Sequence, residues 1–466
     1  LRAKHGKDTE VACIGVSGEK LALISCVINN KGRAAGRSGL GAVMGSKKLK
    51  AIAVKGKKKV PLFDDVLVTE LRKKYLPMLG GPINMLKEFG TAALAMRSAH
   101  SGDSPVKNWA GVGVIDYPNA EPININLIMP KVESKYACFR CPIGCGGHMK
   151  AGEGEYKYPA GAHKPEYETL AMFGSNCLNN DLDSIIMAND LCNRYGLDTI
   201  SAGAVIAFGM ECYENGLISK EDTGGIELTW GNHRSLIAML DKVGKREGFG
   251  SILADGVKSA AQKIGKGAEK YAIHIQGQEV PAHDPKLGYA WGITYRMDAT
   301  PARHTQGPQM PPPGVLPKFD PKSMYGRAKA HKAGACYTHF MNSAGMCSML
   351  FGGLPRAEIL TEFLNAITGW DSNLDELLKT GERIGNLRHV FNLREGINPL
   401  KYDFSGRVMG LPPLQSGPTA GVTVDEAAMD REFMAEMDWD SVTAKPSRSK
   451  LEDLGLQDVA KDLWDK

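Results

Sequence analysis

Three cysteines fall within eight positions of "ACFRCPIGCGGHMK" (residues 137–150): Cys138, Cys141 and Cys145. Three thiolates make an incomplete tetrahedral set, so the spacing asks for a fourth ligand. Iron–sulfur clusters take four thiolates, and small residues such as Gly146 and Gly147 let backbone N–H groups come close to the sulfurs. A structural zinc is the competing chemistry. Zinc ribbons usually draw their ligands from two spaced pairs, and no second C-x-x-C pair occurs in the chain, so a cluster is favoured. The fourth thiolate must come from Cys13, Cys26, Cys177, Cys192, Cys212, Cys336 or Cys347. Spacing alone does not choose among them.

Other residue types could do chemistry. "NRYGLD" (residues 193–198) and "NSAGMC" (residues 342–347) share the pattern N-x-x-G-[LM]-[DC]. Each would present a short amide at a helix end stopped by glycine, a geometry that holds a flat polar ring by its edge. Two coincidental helix stops are the plainer explanation of either one alone. The glycine-rich stretch at 32–46 lacks the G-K-[ST] of a P-loop and the G-x-G-x-x-G of a dinucleotide site. It sets Arg33, Gly36 and Arg37 where a phosphate could meet backbone amides and guanidinium forks, although a solvated basic turn explains it equally well. "KPEYETL" offers Glu166 and Glu168, while "VPAHDP" and "TPARHTQ" offer His283 and His304, a carboxylate and imidazole repertoire suited to proton transfer. Apolar residues follow Glu168, so its carboxylate is expected to be partly buried, and burial without a cationic partner raises a carboxyl pKa.

These residues need a scaffold. With 466 residues, 43% hydrophobic and 23% charged, the chain has ordinary globular usage and room for two or three domains; disorder over the whole length is excluded. The net charge of +5 is concentrated in "KKLKAIAVKGKKK" (residues 47–59), too local a patch for a nucleic-acid groove. Neither an 18-residue apolar run nor a secretory leader is found, so no membrane span is expected and the cytoplasm is the expected compartment. Uneven cysteine clustering without a leader favours metal or redox chemistry over disulfides. The first residues read as a helix tail entering strands, without an initiator methionine, so the chain is expected to begin inside a larger polypeptide. Residues 10–55 alternate short β-type runs with the glycine-rich connection, and helical spacing dominates from about residue 65. "DLDSIIMANDLCNRYG" predicts a helix capped by Asn180 or Asp181 and stopped by Gly196. "SILADGVKSAAQKIG" predicts another from Ser251 to Gly265, and "YAIHIQG" a short strand. The proline-rich loop at 306–321 is long enough to be an access loop.

Taken together, "GRAAGRSGLGAVMGSKKLKAIAV", "PVKNW", "CFRCPIGCG", "PEYETLAMFGSN", "RYGLDTIS", "WGN", "KREGFG", "VPAHDP" in place of LPAYDP, and "NSAGMC" resemble the tungsten-dependent aldehyde ferredoxin oxidoreductase family over nearly the whole chain. The resemblance implies an α+β protein: the end of a β-rich cofactor-base domain (1–64), a helical domain carrying three cluster cysteines (65–270) and a helical domain carrying the fourth (271–466). It implies a 4Fe-4S cluster on Cys138, Cys141, Cys145 and Cys347. It also implies a tungsten or molybdenum bis-pterin cofactor, held by Gly36 and Arg37, by Asn193, Gly196, Leu197 and Asp198, and by Asn342, Gly345 and Met346, with a magnesium ion bridging the pterin phosphates as a further element. The family has aspartate where this chain has Asn193 and Asn342, and an amide offers one acceptor oxygen instead of two. "MAND" (residues 187–190) replaces an acidic and histidine motif that some relatives use between subunits, so that interface metal is not expected.

The implied reaction is two-electron oxidation of an aldehyde to a carboxylic acid, with electrons leaving through the cluster to ferredoxin or an iron–sulfur subunit. Glu168 would be the base and His304 would hold the oxyanion or relay protons, although the spacing around "GITYRMDATPARH" differs from the family's run. A homo-oligomer or a place in a larger complex is implied as well. One alternative is the active-site subunit of a class II benzoyl-CoA reductase, acting on an aromatic acyl thioester with Cys177 as a tungsten ligand; a buried structural cysteine is the plainer reading of Cys177. A second is a non-catalytic iron–sulfur carrier or zinc-stabilised scaffold.

Overall fold

A computed structural model describes residues 1–30, 32–308, 311–402 and 404–465. The early β-type runs form one antiparallel sheet of four strands, β1 (Glu10–Ile14), β2 (Val27–Asn29), β3 (Arg33–Ala35) and β4 (Ala51–Val54), in the order β3-β2-β1-β4. Ala12 faces Asn29 on one side and Ile52 on the other. The sheet edge lies within the glycine-rich connection itself, since β3 begins at Arg33. A helix, Leu40–Ser46, follows from Gly39 at φ 67°, a backbone region that glycine enters without a Cβ penalty.

The chain divides into two compact units. The first holds residues 1–57, 89–287 and 403–423; the second holds 58–88, 288–402 and 424–466. At the centre of the first lies the helix Thr199–Glu214, in which every residue from Ile200 to Cys212 is buried. Apart from Ser201 and Glu211 its buried positions are apolar or glycine, the pattern of a helix surrounded by protein. It packs against the helix Tyr167–Phe173, which carries Glu168. A Cβ at Gly203 would lie 2.7 Å from the Met172 carbonyl oxygen, so glycine is what allows the two helices this approach.

The sheet is bolted to the helix Leu182–Tyr195. Gly196 ends that helix in the left-handed region, and Asp181 caps its start by accepting from Ser184 N. Cys26 N donates to Gly196 O at 2.8 Å, and Asp198 N donates to Ile24 O at 3.0 Å. The expected single helix from Ser251 to Gly265 is two, Gly250–Leu253 and Gly256–Ile264. Gly256 at φ 84° breaks it, and the Glu279 carboxylate accepts from Val257 N at 2.8 Å, satisfying an amide that a continuous helix would have used internally. The expected strand in "YAIHIQG" is a short pair, His274–Ile275 with Gln278–Glu279.

In the second unit the helices Ala328–Ser343 and Leu374–Arg394 pack through Gly381, where a Cβ would lie 1.8 Å from Cys336 O. Asn373 and Glu376 form a reciprocal capping box at the start of the longer helix. His389 stacks on Trp439 with ring centroids 3.8 Å apart, and Trp439 Nε1 donates to Asn386 Oδ1. Gln309 and Met310, in the expected access loop, lie outside the described residues. No helix among the described residues is long and apolar enough to cross a membrane.

Candidate functional site

Cys138, Cys141 and Cys145 lie on the turn of a hairpin between the strands Val132–Tyr136 and Gly146–Met149. Cys141 N donates to Cys138 O, and Arg140 and Gly144 take positive φ so that the chain reverses within nine residues. None of the three is disulfide-bonded and none is fully buried. Gly146 is required, because a Cβ there would lie 2.4 Å from the Tyr136 ring. Arg33, at the start of β3, reaches this turn: NH2 donates to Cys145 Sγ at 3.7 Å and NH1 to Glu166 Oε1 at 2.7 Å. Its guanidinium lies 5.1 Å from the Tyr136 ring centroid. Burial opposes its charge, but Glu166, Tyr136 and the thiols raise its pKa above the ordinary value.

This donor set fits an iron–sulfur cluster in its chemistry: three accessible sulfurs on one turn, with a fixed cationic N–H on one of them. Among the described residues no three His, Cys, Asp or Glu side chains stand as a ready metal-holding group. Glu166, which the sequence offers as a proton-transfer candidate, is half-buried and is an anchor for Arg33; it also accepts from Thr91 Oγ1, which in turn accepts from Tyr167 N.

Glu168, two residues on, is in a different environment. Its Oε2 accepts from Ala282 N at 2.9 Å, and its Oε1 lies 3.8 Å from His283 Nε2. Burial raises its pKa above the usual carboxylate range against the pull of His283, the Ala282 N–H and Arg37, with Asp198 adding to the rise. His283 Nδ1 is 2.8 Å from Asp103 Oδ2, and Asp284 N donates to Asp103 Oδ1 at 3.1 Å. The sequence singles out His283 only as one imidazole among several and does not mark Asp103 at all. They are 180 residues apart, and no local pattern connects them.

Arg37 is buried. Its Nε donates to Asp198 Oδ2 at 3.1 Å and its NH2 to Glu279 O at 2.6 Å. Asp198 also caps the helix Thr199–Glu214 through Ile200 N and Ser201 N. "NRYGLD" is therefore a helix stop followed at once by a helix cap, with the glycine-rich loop pinned to it. A Cβ on Gly36 would meet nothing nearer than Asp198 Oδ1 at 3.7 Å, so backbone beside Arg37 is open to approach. Asn193 is half-buried, and Gly196 and Leu197 are buried.

In the second unit His304 lies in a turn after the helix Ala290–Met297. Arg388 holds that segment: NH1 donates to Asp298 Oδ2 and Gln306 Oε1, and NH2 to Thr300 Oγ1 at 2.7 Å. Asn342 closes on the same segment, its amide nitrogen donating to Thr305 O and Gln306 Oε1 at 3.3 and 3.4 Å. A carboxylate could donate neither bond, which is a local reason for an amide at this position. Gly345 follows at φ 72° with open space where its Cβ would be. Met346 packs on the core of this unit, and Cys347 is exposed. In each unit by itself a helix stop carries a short amide, Asn193 in the first and Asn342 beside the open backbone of Gly345 in the second, and an amide suits the polar edge of a flat ring.

Cys177 is fully buried. Its thiol donates to Met172 O at 3.3 Å and Gly203 O at 3.6 Å, and burial pushes its pKa up. That geometry favours the packing role over a metal ligand.

Comparison with known proteins places these residues in a family context. A family profile described as "Aldehyde ferredoxin oxidoreductase, domains 2 & 3" matches residues 69–456, and one described as "Aldehyde ferredoxin oxidoreductase, N-terminal domain" matches residues 1–56. A tungsten-containing aldehyde ferredoxin oxidoreductase of Pyrococcus horikoshii is 37% identical over 97% of this chain and 74% of the relative. Its namesake in Pyrococcus furiosus is 35% identical, covering 98% and 75%. An aliphatic sulfonate oxidoreductase, WOR-like subunit, from Pyrococcus furiosus is 29% identical over 98% of this chain and 72% of its own. Among solved structures, the active site complex of a benzoyl coenzyme A reductase with 1,5-dienoyl-CoA superimposes with a TM-score of 0.79 at 21% identity, over 99% of this chain and 75% of that one.

Proposed function

Because the chain belongs to the aldehyde ferredoxin oxidoreductase family, a family of oxidoreductases, we propose that it oxidises an aldehyde to a carboxylic acid at a tungsten bis-pterin cofactor and passes two electrons singly through a 4Fe-4S cluster to ferredoxin or an iron–sulfur subunit. The observation that carries this reading is Glu168, a largely buried carboxylate of raised pKa beside Arg37 of the pinned glycine-rich loop. When bound, the pterin-held metal supplies the two-electron redox chemistry. The chain supplies the rest. Glu168 removes a proton from the attacking water or hydrated aldehyde, and burial, by raising its pKa, makes it a stronger base than an exposed carboxylate. His304, held through Arg388 and Asn342, hydrogen-bonds the developing oxyanion or relays protons.

Gly36 and Arg37 brace one side of the cofactor, with a magnesium ion at its phosphates in the same reading. Asn193, Gly196, Leu197 and Asp198, and Asn342, Gly345 and Met346, supply the two pterin edges. Cys138, Cys141, Cys145 and Cys347 hold the cluster. The three-part division at 64/65 and 270/271, a cytoplasmic setting and a homo-oligomer or complex subunit belong to this proposal. The likeness to the benzoyl coenzyme A reductase complex is one of fold, and the buried Cys177 thiol does not favour that chemistry.

The test combines metal analysis with turnover. The purified protein should carry tungsten and four irons and reduce a one-electron acceptor when given aldehydes. Glu168→Gln should retain both metals while losing about 10²- to 10⁴-fold in rate. Iron without tungsten in the active native protein, or a Glu168→Gln variant turning over at full rate, would sink the assignment.

A further inference from the structure

The "VPAHDP" segment carries an imidazole, His283, and the fold turns that imidazole toward two carboxylates. On one side His283 Nδ1 is 2.8 Å from Asp103 Oδ2; on the other, Nε2 is 3.8 Å from Glu168 Oε1. The ring makes a further contact. It packs on the Tyr167 ring at 5.0 Å between centroids, and the Tyr167 hydroxyl donates to Ala282 O and lies 3.1 Å from Ser104 Oγ. Asp103 is held by Ser98 Oγ and by Asp284 N. Ala282 N orients Glu168 through its other oxygen, Oε2.

We propose that Asp103, His283 and Glu168 form a proton chain, in which the imidazolium keeps Glu168 ionised and the imidazole carries away the proton that Glu168 removes from substrate. The proposal rests on the aldehyde oxidation reading. Its steps balance. Glu168 takes a proton from water at the reacting carbon. The imidazolium then loses its Nε2 proton to solvent while Nδ1–H stays on Asp103. The Glu168 O–H bond breaks as a new Nε2–H bond forms, which restores the carboxylate and imidazolium. The 3.8 Å gap exceeds a hydrogen bond, and a side-chain rotation or one bridging water closes it.

The charges around the chain agree. Burial works against the imidazolium, but Asp103, by hydrogen bond and charge, and Glu168 outweigh it and raise the His283 pKa above its ordinary value. Other ionisable groups near it are Tyr167 and Asp284, the latter paired with Lys286 at 2.8 Å. Arg37 and Asp198 also act on Glu168, the first lowering its pKa and the second raising it. A phenol at this position, with an ordinary pKa of about 10, carries no positive charge and accepts no proton near neutral pH. His283 is thus a positioning residue that works through Glu168.

The experiment uses the holoenzyme and the variants His283→Gln, His283→Tyr and Asp103→Asn, with tungsten and iron measured in each. Losing the imidazolium raises the Glu168 pKa, so the acid limb of kcat/KM should move to higher pH by about one unit in both His283 variants and by less in Asp103→Asn. At a pH on that limb a one-unit shift is about a tenfold loss. Independently of turnover, the midpoint of the His283 titration, followed by NMR of labelled histidine, should fall in Asp103→Asn and in Glu168→Gln. An unmoved acid limb with near-full turnover in His283→Gln, at normal metal content, overturns the proposal, and so does a His283 midpoint indifferent to Glu168→Gln. If the holoenzyme oxidises no aldehyde, the parent reading fails, and the NMR coupling alone then decides whether the proton chain stands.

Discussion

Cys347 is exposed beyond a helix stop, whereas Cys192 and Cys212 are buried, with burial raising both thiols. Ligation needs a reachable thiolate, and packing needs neither reach nor charge. Cys347→Ser should therefore lower the iron content and bleach the broad charge-transfer absorption, while Cys192→Ala should leave iron unchanged; four irons retained in Cys347→Ser would refute its place in the cluster. At this scale the sequence is informative where chemistry is local. The cysteine triplet is visible because a single hairpin turn holds all three. The paired helix stops are visible because glycine termination leaves a local mark. Asp103 and His283 leave none, since what joins them is a tertiary contact. The reach of Arg33 from β3 to Cys145, and its anchoring by Glu166, are hidden for the same reason.

Helix packing in both units depends on glycines that let backbone meet backbone. At Gly381 an added methyl would lie 1.8 Å from Cys336 O; a carbonyl in a helix cannot rotate away, so the two helices must separate. Gly381→Ala should cost on the order of 1–3 kcal/mol, as overpacking does, and lower Tm by several degrees. Gly56, with nothing within 4 Å of its Cβ position, is the control. Calorimetry showing equal Tm for the two variants would contradict this account. Hydrophobic spacing finds the helix at 182–195 with its cap and stop, because those signals sit in one stretch of chain. It runs through the break at Gly256, because what stabilises the second helix start is the Glu279 carboxylate, more than twenty residues away.

Across the whole molecule the two units interleave in sequence, each assembled from three separate stretches. The first unit is not complete without residues 403–423. Arg407 from that stretch donates through both terminal nitrogens to the buried Glu211 carboxylate at 3.0 Å, and to Asn108 O at 2.8 Å. Asn108 Nδ2 also donates to Glu211 at 2.6 Å. Removing one partner of a buried pair leaves an uncompensated charge, so Arg407→Ala should destabilise the protein by about 3–5 kcal/mol. The unfolding free energy measured by denaturant titration checks this, and a loss under 1 kcal/mol would show that Glu211 does not depend on Arg407.

The same pair sets a timetable for biosynthesis. Glu211 and Arg407 are 196 residues apart, and at about 5–20 residues per second of ribosomal elongation that interval is on the order of 10–40 seconds. During it the helix Thr199–Glu214, buried from Ile200 to Cys212, already exists as nascent chain with a carboxylate whose guanidinium has not yet been made. Most of the second unit's residues emerge before the first unit receives its last stretch. Completion of the first unit therefore waits until most of the second has been made.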